Sequence, residues 1–145
     1  MIVSVNFKKL CVERYKDKSE KLNINNNIKI SGLEEAKIKL KPSDSAVKIN
    51  FEFTSNYEPG VAKITIIGEA IEVSQKKEIS KLMKEWSKNK KIPEEVLTRV
   101  MNLLLSKCNI EAIILSKEAN LPPPLPMPRV GKRLEKNNTT DSYIG

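Results

Sequence analysis

The chain has 145 residues, 39% hydrophobic residues and a net charge of +8. That suits one domain with a modest core and a basic surface. It contains no histidine, which excludes a His general base, a His-activated serine or cysteine, and a His metal ligand. The two cysteines, Cys11 and Cys108, form no C-x-x-C pair, which argues against a zinc site. They read as free buried thiols, with a disulfide between them the alternative. Met1 to Asn6 lacks the charged start and long apolar run of a signal peptide. No apolar run approaches the length of a membrane span. A cytoplasmic protein is expected.

Val3, Val5 and Phe7 alternate with polar residues, predicting a strand with one buried face. The alternation weakens through Leu10, Cys11 and Val12, as at a bulge. Residues 16–32 are polar and asparagine-rich, punctuated by Leu22, Ile24, Ile28 and Ile30. They read as a crossover connection pinned down at intervals, long enough to carry function. Ala36, Ile38 and Leu40, between lysines, suggest a second strand. Val47, Ile49, Phe51 and Phe53 give the clearest strand, and 56–60 a hairpin turn. Ala62, Ile64, Ile66 and Ala70 line one face of a fourth strand, with Ile67, Ile71 and Val73 on the other. A strand apolar on both faces needs cover on both, which a second subunit could supply.

Ser74 is the expected N-cap of a helix over 75–89, with Ile79, Leu82, Met83 and Trp86 as its apolar stripe. Pro93 opens a second helix running to about 118, with Glu94 and Glu95 suited to its N-terminal dipole. Its apolar residues, Val96 to Leu115, spread over about half its circumference. That is more than one sheet requires. Five of the chain's eight prolines follow within residues 122–128. This segment cannot be helix interior or central strand. It should run as extended polyproline II, and Leu121, Leu125, Met127 and Val130 mark it as a strap laid on the body rather than a linker. The body ends near residue 130, and 131–145 read as a polar, mobile tail. The fold class is α+β: a four-stranded antiparallel sheet followed by two helices on one face.

No motif argues for catalysis, so the chain is not expected to be an enzyme, and no cofactor is implied. The lysines of 76–91 are the best nucleic-acid candidate. They also suit the wet face of an amphipathic helix, and no aromatics interleave with them for base stacking. The remaining signal is an apolar surplus, suited to a homo-oligomer interface or to a groove for extended polypeptide.

The order of elements and the Leu121-Pro122-Pro123-Pro124-Leu125 segment after the last helix resemble the SecB chaperones of protein export. The resemblance covers residues 3–130. It implies a holdase that binds unfolded chains in apolar grooves without ATP, assembled as a tetramer, a dimer of dimers. Carried onto this chain, the groove comprises Leu22, Ile24, Ile28 and Ile30, then Ile110, Ile113 and Ile114, then Leu121, Leu125 and Met127. Typical members have an acidic sheet surface that engages the SecA motor. Lys37, Lys39 and Lys48 here argue against that docking. Clients in export and in toxin–antitoxin systems both remain open. A reading of a different class is a basic nucleic-acid-binding or scaffold protein built on the same module.

Overall fold

In the computed structural model, which describes residues 1–17 and 21–126, the centre of the fold is a long hairpin. Its strands are β3 (Asp44–Glu58) and β4 (Ala62–Gln75), joined by a tight turn in which Gly60 adopts a left-handed φ of 57°. Ile49, Phe51, Phe53 and Tyr57 of β3 stand opposite Ala70, Gly68, Ile66 and Ala62 of β4, and all are buried. At Gly68 a Cβ would lie 2.5 Å from the Asn6 carbonyl and 2.7 Å from Phe51 Cζ. Only glycine leaves room there for the phenyl ring.

Strand β1 (Ile2–Arg14) adds to β4 and β2 (Asn23–Ala36) adds to β3, giving the order β1-β4-β3-β2, antiparallel throughout. The first two strands therefore occupy opposite edges. Their connection crosses the end of the sheet, where the backbone N–H groups of Tyr15 and Lys16 donate to the Val61 carbonyl. Register shifts in β1 fall between Ile2 and Ser4 and between Phe7 and Lys9. They set Ile2, Val5, Phe7 and Val12 against the core and leave Val3 49% exposed.

The second strand differs from expectation. It spans 23–36, most of the stretch read as a crossover, and the alternating 37–41 segment belongs to the connection that follows. Ala36 and Ala46 form the last pair between β2 and β3. Lys37 to Lys41 thus have no partner, and alternation without a partner makes no strand. Lys37 and Lys39 accordingly lie in a loop and not on the sheet, whereas Lys48 does sit on the outer sheet face.

Helices α1 (Lys76–Asn89) and α2 (Glu94–Glu118) cover the other face. α1 lies over β2, β3 and β4, and α2 over β1 and β4. Ser74 is still in β4, and its hydroxyl donates to the Glu78 carboxylate. Gln75 holds the N-cap position without a side-chain bond. α1 buries Ile79 and Leu82, and α2 buries Val100, Leu104, Cys108, Ala112 and Ser116. On the far side of α2, Ile110 and Ile114 remain 57% and 48% exposed. On the outer face of the sheet, Ile67, Ile71 and Val73 are half-buried. Among them Glu69 meets Lys8 at 2.9 Å and Lys48 at 3.6 Å, and its bond with Lys8 holds its carboxyl below the usual range.

Both thiols are free. Cys11 pairs in register with Thr65, on the outer face, while Cys108 is buried on the sheet-facing side of α2, so the sheet separates them. Burial, aided by the charge of Glu111, pushes the Cys108 thiol up to about 12 from 9.0. The unfolded chain therefore releases this proton first as pH rises. Stability should fall between about pH 9 and 12, and the Cys108→Ala variant should lose part of that slope. Urea midpoints at pH 8 and pH 10.5 check this; equal slopes in both proteins would contradict it.

Candidate polypeptide groove

The helix-covered face of β2 carries a row of half-buried apolar side chains. Ile24, Ile28 and Ile30 stand in register with the buried Tyr57, Phe53 and Phe51 of β3. β2 is an edge strand, and α2 lies over the opposite half of the sheet. Among the described residues, cover on the row is therefore confined to its two ends.

At one end the strap crosses the sheet. The Ala119 carbonyl accepts from Arg14 of β1, the Pro122 carbonyl from Tyr57 of β3, and the Pro124 carbonyl from Asn26 of β2. Leu22 and Ile24 with Pro122–Pro126 enclose an open depression of about 520 Å³. At the other end Ile30 meets Trp86, Ile92, Leu97 and Met101 around a depression of about 340 Å³. Lys90, in the left-handed conformation that ends α1, sits 5.3 Å from the Trp86 ring centre, where cation–π attraction steadies it. Ile28 lies on the row between the two ends.

The structure brings Leu125 together with Leu22 and Ile24, and sets Ile28 and Ile30 farther along the same row. Leu121, 8% exposed, belongs to the core and fixes the root of the strap. Ile110, Ile113 and Ile114 line neither depression. Met127 and the tail expected over 131–145 lie outside the described residues. Trp86, Ile92, Leu97 and Met101 join the groove without having been assigned to it. The helical stripe in the sequence marked Trp86 as inward-facing, but a stripe does not show that one end overhangs a sheet edge.

Tyr57 is fully buried, and burial pushes its hydroxyl up to about 12, with the Ser116 hydroxyl beside it pulling the other way. It stays a neutral donor to Pro122 across the working pH range. A larger depression of about 640 Å³ beside α1 is lined by Lys76, Lys84, Lys88, Ser80 and Ser87 with Ile79 and Met83. Its rim is charged, and it reaches the sheet at Glu35 of β2 and Ser45 of β3. No group of histidine, cysteine or carboxylate side chains suited to a metal ion occurs among the described residues. Nor, among them, is any helix long and apolar enough to cross a membrane.

No protein-family model matches the sequence, and no curated protein matches it. The fold does have a solved counterpart. The chain is similar in structure to the SecB-like chaperone Rv1957 of Mycobacterium tuberculosis, solved in complex with a ChAD peptide from the Rv1956 HigA1 antitoxin. The TM-score is 0.50 at 13% identity, over 91% of each chain. The α+β architecture of a four-stranded antiparallel sheet under two helices is shared.

Proposed function

We propose that this chain is a chaperone of the holdase type, binding extended or unfolded polypeptide along the apolar face of β2 without nucleotide and without catalysing a reaction. The observation that carries the reading is the Ile24–Ile28–Ile30 row on an edge strand, closed at its ends by the strap and by Trp86. The row is long, shallow and aliphatic, so it offers non-directional contact to many sequences. A client burying roughly 400 Å² of apolar area would gain about 10 kcal/mol gross. Association and ordering of the client offset most of that, leaving the reversible binding a holdase needs. The SecB-like fold supports the reading, as does the antitoxin peptide held by its structural counterpart.

We propose further that the protein works as a homo-oligomer, a tetramer by the SecB-like pattern. Exposed Ile110 and Ile114 and the uncovered Ile67, Ile71 and Val73 are the surfaces that assembly would bury. Whether the clients are export substrates or antitoxins depends on the partners the protein meets in the cell. The assay that tests the function is suppression of aggregation of a denatured test protein, without ATP, with sedimentation equilibrium on the same sample. Loss of suppression at any ratio contradicts the holdase, and a strict monomer at micromolar concentration contradicts the assembly.

The second reading rests on the exposed Lys76, Lys77, Lys81, Lys84 and Lys88 of α1. Nucleic-acid affinity drops steeply with salt, whereas apolar client binding does not. Binding measured at two salt concentrations separates the two readings.

A further inference from the structure

Polar groups interrupt the apolar row at one place. Asn26 lies between Ile24 and Ile28, and its partner across the ladder is Ser55, a fully buried hydroxyl. Ser55 Oγ donates to Asn26 Oδ1 at 2.6 Å. That bond occupies the acceptor end of the amide and turns its donor end toward the groove. There Asn26 Nδ2 donates to the Pro124 carbonyl at 2.8 Å. The Tyr57 hydroxyl donates to the Pro122 carbonyl at 2.6 Å. The sheet thus offers two donors to alternate carbonyls of one extended chain.

Neither bond involves a side chain of the strap. Any extended polypeptide carries carbonyls at nearly the same repeat, since polyproline II rises about 3.1 Å per residue and a strand about 3.3 Å. What is recognised is main chain, which suits a site that must accept many sequences.

The two bonds differ in how firmly the strap around them is packed. The root of the strap is fixed: Leu121 is in the core, and its N–H donates to the Ser116 carbonyl at 2.8 Å. Over residues 123–126, Pro124 is buried, Pro123 and Pro126 are exposed and Leu125 is half-buried. These four residues have little apolar area holding them down.

We infer that Asn26 is a main-chain clamp shared by strap and client: residues 123–126 hold it in the client-free protein, and a bound polypeptide displaces them and accepts the same amide bond. The inference rests on the holdase reading and adds a means of regulation to it. One amide–carbonyl bond replaces another, so the exchange itself is nearly neutral. Its direction is set by the client's apolar gain against the small area of the strap. The fixed φ angles of the prolines favour return of the strap when the client leaves.

The test uses the full chain and a fluorescein-labelled, reduced and alkylated test polypeptide, with Kd read by anisotropy. Pro123→Gly with Pro126→Gly loosens the strap without touching Asn26 or Pro124. The expected result is binding about fivefold tighter than wild type. Adding Asn26→Asp replaces the donor by a carboxylate, and binding should weaken about tenfold from the loosened parent. Asn26→Leu, similar in size and lacking the donor, gives the same comparison if the aspartate variant does not fold. Equal or weaker binding by the loosened chain shows that the strap is a fixed wall and overturns the inference. So does indifference to Asn26 in that background. Wild type that binds no polypeptide overturns the holdase reading and the inference with it, whereas wild-type binding insensitive to the strap overturns the inference alone.

Discussion

Serine at Ile24, Ile28 and Ile30 together is expected to weaken polypeptide binding about a hundredfold while far-UV CD and oligomeric state stay unchanged. Each side chain is half-buried in the free protein. The apolar area still exposed is what a client would cover. Losing about 1 kcal/mol of that gain at each of three positions amounts to about 3 kcal/mol, or two orders of magnitude in Kd. The same substitutions should lower folding stability by about 1 kcal/mol each, since these side chains are half-buried against the core. The fully buried residues in register with them, Phe51, Phe53 and Tyr57, remain in place and keep the domain folded. A variant that dissociates or unfolds would assign these residues to an interface or to the core. Wild-type affinity would place the clients elsewhere.

Phe51→Ala should lower stability by about 4 kcal/mol, a large part of the roughly 5–15 kcal/mol that holds a domain together. Phe51 is completely buried and meets Phe7 edge-on, at 6.4 Å between ring centres and 81° between planes. Its neighbour across the ladder, Gly68, has no side chain to fill the space left behind. The cavity therefore stays open, which is the costly case for a large-to-small change. A urea midpoint shifted at constant m would show it; a loss under about 1 kcal/mol would mean that the site collapses and the packing is looser than described. Phe51 also stands in register with Ile30, so the same change should loosen one end of the groove.

The sequence made β3, β4 and both helices legible, because their apolar residues recur at period two or at helical spacing with a packed partner on the inner side. β2 was hidden for a physical reason. Asn23, Asn25, Asn26 and Asn27 have low strand propensity, and they are tolerated because β2 is an edge strand held through β3. Beneath them the alternation Leu22, Ile24, Ile28, Ile30 was present, broken at Asn26 by the polar group that binds the strap. The bulge at Ser31 then shifts Leu33 onto the same face, which no simple period follows. Lys37 to Lys41 showed the opposite error, alternation with nothing to pair against.

The candidate groove was half legible. The β2 isoleucines and Leu125 come from the resemblance and share one surface. The α2 isoleucines at 110, 113 and 114 come from the same resemblance and lie off it. An apolar arc on a helix does not say which part of the arc meets the sheet. The overhang of Trp86 and the seat of Ile92, Leu97 and Met101 depend on how far α1 runs before Lys90 turns the chain. That is a property of packing and capping together.

Trp86 is the chain's one tryptophan, and it lines the Ile30 end of the groove. The most direct test is its emission during titration with a tryptophan-free unfolded polypeptide, without nucleotide. Binding in the groove predicts a saturable blue shift as the client excludes water from the ring. The shift should move to higher concentration in the Ile24, Ile28 and Ile30 serine variant. Emission that stays constant while the polypeptide demonstrably binds would contradict the groove assignment.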